Sequence, residues 1–220
     1  LRSEDGIVLK TLYDNILYKD VMVRNQIVNE REVKELVYYT VSNIGKPLTY
    51  TSLAKVIGVK NPTTVKNYLE YIENTYLLFS LSKLDYSVKA QLRNPKKVYA
   101  IDNALVSRLG FHFSGEEGRL LENMVYIELR RRGGEIFYHN SGSAECDFVV
   151  RDGFRVVQAI QACYLLGSSD TREREIRGIQ DAMDTYQLLE GTIITNTHEE
   201  ELKYGDKMIH ILPAWKWLRL

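Results

Sequence analysis

The side chains best suited to contact nucleic acid lie between residues 60 and 97. Lysine and arginine bind phosphates, and threonine and asparagine can contact phosphates or base edges. The candidates are Lys60, Thr63, Lys66 and Asn67, followed further along by Lys89, Arg93, Lys96 and Lys97. The acids Glu70 and Glu73 share a segment with the first group and oppose phosphate binding. A packing or signalling role for these residues therefore stays open as the alternative.

A second set of reactive side chains is a pair of carboxylates. Glu145 and Asp147 are two residues apart, so on a strand both would lie on one face. Carboxylates bind hard cations such as Mg²⁺. The pair favours either a weak divalent-cation site or acids that hydrogen bonds and nearby arginines satisfy. The four histidines have no metal-ligand spacing, and Cys146 and Cys163 form neither a zinc motif nor a disulfide framework.

The first basic group lies in a run of short predicted helices. Asn29 and Glu32 have the spacing of a capping box, and apolar residues follow at helical period. Gly58 permits a tight turn, and Asn61-Pro62 is typical of a helix start. The predicted helices cover residues 29–44, 51–57 and 62–76. Their order and spacing indicate a helix-turn-helix.

Two strand-like runs follow these helices. They cover residues 77–85 and 97–102, and a basic, polar segment at 89–96 separates them. Three helices followed by a hairpin are typical of a winged helix, and the polar segment would be its wing. We therefore predict a winged-helix domain over residues 29–102.

The rest of the chain alternates strands with two long helices. The predicted helices cover 119–132 and 170–186, and the predicted strands cover 136–139, 145–150, 154–163, 191–195 and 208–212. This order predicts an α/β domain with a mixed central sheet over residues 103–220. Arginines at 130–132, 172, 174 and 177 alternate with Glu128, Glu173 and Glu175, which predicts solvated, salt-bridged helix faces.

Residues 1–28 carry helical apolar spacing without a core of their own. We predict one or two linker helices here that pack on something else. The chain has no initiator Met, and we expect it to be a piece of a longer protein.

The charges balance overall but not locally. The 220 residues include 29 Lys and Arg and 29 Asp and Glu. Residues 46–97 hold nine basic and three acidic residues, whereas residues 101–220 hold 14 basic and 19 acidic ones. The neutral total argues against a uniformly basic protein, but the split predicts that nucleic-acid contact centres on residues 46–97. No apolar run is long enough to cross a membrane, no signal pattern opens the chain, and cysteines are few, so we expect a cytoplasmic protein.

The residues also resemble a known family. Gly118-Arg119-Leu120-Leu121-Glu122-Asn123, the run Glu145-Cys146-Asp147-Phe148 and the closing Trp215-Lys216-Trp217 are its matching motifs. From about residue 12 onward, the chain is similar to the C-terminal region of predicted prokaryotic AAA+ superfamily ATPases. That region consists of a winged helix and a PD-(D/E)xK nuclease-like domain of unknown function. The resemblance implies an ATPase module, with its ATP and Mg²⁺, that precedes residue 1; no cofactor is expected in these residues.

The resemblance also implies a nuclease site, but this sequence differs from the family motif at two positions of that site. Glu122 matches the helix acid and Asp147 the strand acid, and either would be a weak metal ligand. The positions of the (D/E)xK pair carry Gln161 and Cys163, and an alternative register that places Gln158 and Ile160 there is no better. An amide binds Mg²⁺ more weakly than a carboxylate does, and a thiol supplies no ammonium. The remnant motif is therefore Glu122, Glu145, Asp147, Gln161 and Cys163, with no catalytic residue assigned.

Three functions remain open from the sequence. The first is a non-catalytic DNA-binding or targeting module, with duplex DNA as partner. The second is a protein-interaction or regulatory module that docks on its own ATPase. The third is an active divalent-metal-dependent nuclease.

Overall fold

The protein is described by a computed structural model over residues 3–110 and 117–220. Its described residues form two compact units, one from residues 3–80 and 95–110 and the other from residues 81–94 and 117–220. The fold is mixed α/β, with about nine helices and a mixed sheet of six strands in the described residues. The predicted α/β class is therefore confirmed. No helix in the described ranges has the length and apolar character needed to span a membrane.

The elements follow one another along the chain in this order. The first half contains α1 (Ser3–Asn15), a π-helix (Ile16–Val23), α2 (Glu30–Val41), α3 (Tyr50–Val56), α4 (Pro62–Glu73), β1 (Leu78–Ser82), α5 (Val88–Arg93) and β2 (Lys96–Ala100). The second half contains α6 (Asn103–Leu109), α7 (Glu117–Arg132), β3 (Glu135–Asn140), β4 (Glu145–Asp152), β5 (Arg155–Ala162), α8 (Ser169–Tyr186), β6 (Glu190–Thr195), β7 (Glu200–Tyr204), β8 (Lys207–Pro213) and α9 (Ala214–Trp217).

Local signals explain where α3 and α4 begin. Thr49 and Ser52 form a reciprocal capping box at the start of α3. The Asn61 side chain accepts a hydrogen bond of 2.9 Å from the Thr63 N–H, and Pro62 opens α4. Gly58 lies between the two helices with a φ of +75°, a conformation that favours glycine. The predicted turn is therefore present, and α4 ends at Glu73, three residues before the predicted end at 76.

Asn29 differs from its predicted role at the start of α2. Its side chain caps no backbone N–H but donates a 2.6 Å hydrogen bond to the Glu32 carboxylate. The other Glu32 oxygen accepts a 2.9 Å hydrogen bond from the Tyr68 hydroxyl. This contact joins α2 to α4, and burial together with the Glu32 hydrogen bond raises the pKa of Tyr68 to about 12. Glu32 therefore holds two helices together and does not complete a capping box.

The polar segment between the two strands also differs from its prediction. Residues 88–93 form the short helix α5, capped by the Ser87 side chain, where we expected an open wing. β1 and β2 form a two-stranded sheet, and every residue of β2 is buried. A strand buried on both faces cannot present its lysines to solvent, which bears directly on Lys96 and Lys97.

The second unit is built on the six-stranded sheet. Its strand order is β3-β4-β5-β6-β8-β7, with β5, β6 and β8 parallel to one another and the remaining pairs antiparallel. The buried stripe of α8 packs on the sheet through Ile179, Ala182 and Met183, against residues such as Val149 and Ile193. This packing fixes α8 beside β4 and β5, where the candidate site lies.

One strand was absent from the sequence prediction. β7 is polar, Glu200-Glu201-Leu202-Lys203-Tyr204, and it pairs only with β8 at the edge of the sheet. Charged residues are common on edge strands because they discourage pairing with other chains. Such a strand lacks the apolar run by which the other strands were recognised.

Candidate functional site

A cleft of about 580 Å³ lies in the second unit, at the ends of β4 and β5 between α7 and α8. It brings together four of the five predicted remnant residues: Glu122 from α7, Glu145 and Asp147 from β4, and Gln161 from β5. Cys163 does not line the cleft; its thiol donates to the carbonyl of Leu165 at 3.4 Å. The structure therefore gathers the acids and the amide into one place and leaves the thiol outside it.

Asp147 and Gln161 are joined across adjacent strands. The register pairs Phe148 with Ile160, so Asp147 stands opposite Gln161. The Gln161 side-chain oxygen accepts from the Asp147 N–H at 3.0 Å, and one Asp147 carboxylate oxygen accepts from the Ala162 N–H at 3.1 Å. Asp147 and Gln161 are both buried. Backbone N–H groups thus occupy one oxygen of the Asp147 carboxylate and the oxygen of the Gln161 amide, two atoms that could otherwise bind a metal.

Glu175 is the site residue that the sequence interpretation missed. We expected it on a solvated face of α8, but it is buried, and the Gln161 amide donates a hydrogen bond to its carboxylate. The other Glu175 oxygen accepts from the Arg174 guanidinium at 3.1 Å through Nε. Burial follows from helical spacing, because Glu175, Ile179 and Met183 lie four residues apart on one stripe. That spacing was visible in the sequence and could have identified Glu175.

Gly178 sets how closely α8 approaches β4. A Cβ atom at this position would lie 2.1 Å from the carbonyl oxygen of Glu145. Such a contact is far inside van der Waals distance, so only glycine fits. Gly178 therefore brings Glu175 within reach of Gln161.

The rim of the cleft is ordered by the turn between β3 and β4. The Asn140 amide donates to the Glu145 carboxylate at 2.9 Å, and its oxygen accepts from the Gly142 N–H at 2.8 Å. Glu145 is therefore held by a side-chain amide, as Asp147 is held by backbone. The predicted carboxylate pair is built into hydrogen bonds of the protein.

The charge of the cleft is nearly balanced. Four acids line it together with three arginines, Arg119, Arg174 and Arg177. Within residues 3–110 and 117–220, no group of three His, Cys, Asp or Glu side chains is arranged to hold a metal ion. Burial, with Glu175 nearby, raises the pKa of Cys163 to about 11, so its thiol stays protonated at neutral pH. Within the cleft, Arg174 and the Gln161 amide compensate Glu175, and the Asn140 amide compensates Glu145.

A second buried acid lies on α7. Glu128, also expected on a solvated face, is buried and accepts hydrogen bonds of 2.7 Å from Arg131 and Arg132. These arginines, Arg131 first, lower the pKa of Glu128 to about 2. Arg132 also donates to the carbonyl of Trp217 at 2.9 Å and lies over its ring at 4.2 Å. This network fastens the closing helix α9 to α7.

The predicted nucleic-acid candidates divide between the two units. Lys60, Thr63, Lys66 and Asn67 are exposed on the first unit, at the turn before α4 and on α4 itself. Lys89 and Arg93 are exposed on α5, in the second unit. This arrangement keeps the first four candidates on one short stretch of surface.

Lys96 and Lys97 do not fit the predicted role in phosphate contact. Lys96 is 9% and Lys97 only 1% exposed, because both lie on the fully buried strand β2. The backbone of Lys96 pairs with Leu48, and burial lowers the pKa of its ammonium. The sequence pattern favoured an exposed wing for both lysines, whereas the pairing of β2 buries them.

Two family models match consecutive parts of the chain. The domain of unknown function DUF8612 matches residues 2–116, and the domain of unknown function DUF4143 matches residues 117–217. All four remnant residues of the cleft lie within the second match.

Two curated proteins are similar to the chain. An uncharacterized protein of Methanocaldococcus jannaschii is 33% identical over 224 residues, which covers 96% of this chain and 49% of that protein. An uncharacterized protein of Haemophilus influenzae is 26% identical over 152 residues, which covers 66% of this chain and 37% of that protein. The chain thus spans half or less of the length of these relatives. No solved structure matches it. By the match over residues 2–116, the chain belongs to the DUF8612 family, and a DUF4143 domain follows.

Proposed function

We propose that this chain is a non-catalytic DNA-binding module in the C-terminal part of a longer, cytoplasmic AAA+-type ATPase. In this proposal the first unit is a winged helix whose α4 contacts duplex DNA, and the second is a degenerate PD-(D/E)xK nuclease-like domain. ATP and Mg²⁺ belong to the proposed ATPase module. The observation that carries the proposal is the exposed surface formed by Lys66 and Asn67 on α4 and by Lys60 in the turn before it; α3 and α4 are both capped at their N-terminal ends.

The geometry of the helix pair supports contact with DNA. A recognition helix must be rigid at its N-terminal end, where it meets the groove. Here Asn61 and Pro62 fix that end, and Val65, Leu69 and Ile72 bury the opposite face. The exposed face offers cations and an amide, the groups that bind phosphates and base edges.

The cleft supports the non-catalytic part of the proposal. Metal-dependent phosphodiester cleavage needs carboxylates free to bind the ion and a cation at the scissile phosphate. Here the Gln161 amide donates to the Glu175 carboxylate, and the Ala162 N–H donates to the Asp147 carboxylate. The Cys163 thiol, which holds the position of the expected lysine, carries no positive charge.

Binding of duplex DNA at low salt tests the proposal. We expect the Lys60→Glu/Lys66→Glu variant to weaken binding at least tenfold. The logarithm of the binding constant falls linearly with the logarithm of the salt concentration. Loss of two phosphate contacts should make this negative slope shallower by about 1.8. The measurement is fluorescence anisotropy of a labelled duplex over a range of salt concentrations.

A control variant separates this contact from net charge. Lys10→Glu/Lys203→Glu changes two exposed lysines and shifts the net charge equally. We expect it to bind like the wild type apart from a small loss through long-range charge. Absence of duplex binding at low salt, or equal loss in both variants, contradicts the proposal.

The same samples test nuclease activity. With Mg²⁺ or Mn²⁺ added, we expect no cleavage of the duplex. Cleavage that disappears in Asp147→Ala would establish the metal-dependent nuclease instead. Cleavage that persists in Asp147→Ala would indicate a contaminant.

A second candidate function, docking on the proposed ATPase module, is favoured by the first helices. Leu17 and Val21 of the π-helix are buried within the first unit. On α1 and the π-helix, however, Ile7, Leu12 and Tyr18 are each more than half exposed. Apolar side chains grouped on one helical stretch are typical of a protein interface. We propose that the ATPase module covers them.

Side-chain footprinting tests the docking candidate. We expect hydroxyl radicals to label Leu12 and Tyr18 strongly in the 220-residue chain and weakly in the longer protein that contains the ATPase module. Tyr86, exposed in the second unit, serves as the internal reference. Equal labelling of Leu12 and Tyr18 in both proteins would contradict docking on the module.

A further inference from the structure

A second groove, of about 510 Å³, lies in the second unit away from the acidic cleft. The turn between β4 and β5 forms one side, and the C-terminal end of α8 forms the other. Tyr86, which precedes α5, also lines it. Its volume suits a ligand the size of a nucleotide.

Two aromatic rings at this groove are almost completely exposed. Tyr86 retains 88% of its full exposure, and Phe154 retains all of it. Phe154 lies in a two-residue turn whose first position, Gly153, has a φ of +57°. A turn position of this kind needs no apolar side chain. The Phe154 ring therefore contributes no core packing, and its face is available to stack on a ligand.

A guanidinium group lies beside the rings. Arg155 lines the groove, and its side chain makes no hydrogen bond or ion pair with any residue of the described ranges. Arg131, Arg151 and Arg174 of the same unit are, by contrast, all paired with acids. Because no acid compensates this guanidinium, it can attract an anionic group such as a phosphate to the groove.

Polar groups complete the wall. Gln187 and Thr185 line the groove, and within the described chain neither side chain has a hydrogen-bond partner. Gln187 has a φ of +58° at the end of α8, where glycine or asparagine is the usual residue. Its amide can donate to and accept from the edge of a base. The Tyr186 hydroxyl is bonded to His139 at 2.9 Å, which fixes this part of the wall.

We propose that this groove binds an unpaired nucleotide of a single-stranded nucleic acid. The base stacks on Phe154 and Tyr86, the Gln187 amide contacts its edge, and Arg155 binds the adjoining phosphate. Stacking on aromatic rings with a cation on the backbone is how proteins hold single strands without sequence preference. The site is separate from the proposed duplex contact on α4 and does not depend on it.

Anisotropy of a labelled oligo(dT) with the 220-residue chain tests the proposal. We expect Phe154→Ala and Tyr86→Ala each to weaken binding about tenfold, the usual effect of removing a stacked ring. Arg155→Gln should make the negative slope of log binding constant against log salt concentration shallower by about 0.7, the contribution of one phosphate contact on a single strand. An oligonucleotide with 5-iodouracil should crosslink under ultraviolet light to Phe154 or Tyr86, as mapped by mass spectrometry.

Matched variants separate the groove from general effects. Val157→Ala and Leu189→Ala also truncate exposed apolar residues but do not line the groove, and we expect unchanged oligo(dT) binding. Lys60→Glu/Lys66→Glu should retain it even though duplex binding falls. The proposal is overturned if the wild type fails to bind oligo(dT) at low salt. It is also overturned if Phe154→Ala and Tyr86→Ala bind as well as the wild type.

Discussion

Replacing Gly178 by alanine is expected to destabilise the second unit by roughly 3 kcal/mol, a large cost for one methyl group. The added Cβ would lie 2.1 Å from the Glu145 carbonyl oxygen, which belongs to the backbone of β4 and cannot rotate away. Either α8 moves outward or β4 bends. Both changes separate Glu175 from Gln161 and open the cleft. Chemical denaturation followed by circular dichroism measures the loss of stability.

Gly118→Ala is the matched control for that substitution. Gly118 is also helical and also lines the cleft, but an added Cβ would meet no atom within 4 Å. Alanine has the higher helix propensity, so stability should rise by a few tenths to about 1 kcal/mol. Equal losses in both variants would show that close approach of α8 is not what Gly178 provides.

The sequence predicted the second unit well where its elements are strongly patterned. The apolar runs at β4, β5 and β6 and the long helices α7 and α8 lie within a few residues of the predicted positions. Apolar periodicity reports which face of an element is buried, and that signal is local. The β7 strand escaped prediction because it is short and polar, and the α5 helix because its 6 residues are too few to show a clear apolar period.

The local sequence pattern did not predict which charged residues are buried. Lys97, Glu128 and Glu175 all have neighbours in sequence that suggest a solvated face, and all three are buried. Charged side chains are rarely buried unless they are paired, so the expectation followed the general rule. Glu175 pairs with the adjacent Arg174 and also with Gln161, which comes from a different element, β5, and sequence spacing does not reveal that second contact.

The sequence predicted four of the residues that line the cleft, Glu122, Glu145, Asp147 and Gln161, but it misplaced Cys163 and missed Glu175. Asp147 and Gln161 stand opposite each other on β4 and β5. The motif positions in the sequence could not show that a fourth carboxylate, Glu175, enters from α8 and takes the Gln161 amide as its donor. The Gln161 amide therefore joins the backbone of Asp147 to the buried Glu175 carboxylate.

Gln161→Glu should consequently cost about 2–4 kcal/mol at neutral pH. The substitution keeps the shape of the side chain but replaces the donor to Glu175 with a carboxylate oxygen. The introduced carboxylate would then lie near the buried carboxylates of Asp147 and Glu175, where Arg174 already pairs with Glu175. Gln158→Glu, the same change at an exposed position of the same strand, should stay within about 0.5 kcal/mol of the wild type.

The pH dependence and a compensating variant identify the cause of that loss. Burial beside other acids raises the pKa of the introduced carboxyl above its unfolded value of about 4.3. The penalty is therefore small below that pH and grows as pH rises from there towards the folded pKa. Adding Glu175→Gln restores a donor opposite the introduced carboxylate, and we expect Gln161→Glu/Glu175→Gln to recover most of the lost stability. A loss that is independent of pH and unchanged in the double variant would show that the contact between Gln161 and Glu175 does not hold the cleft together.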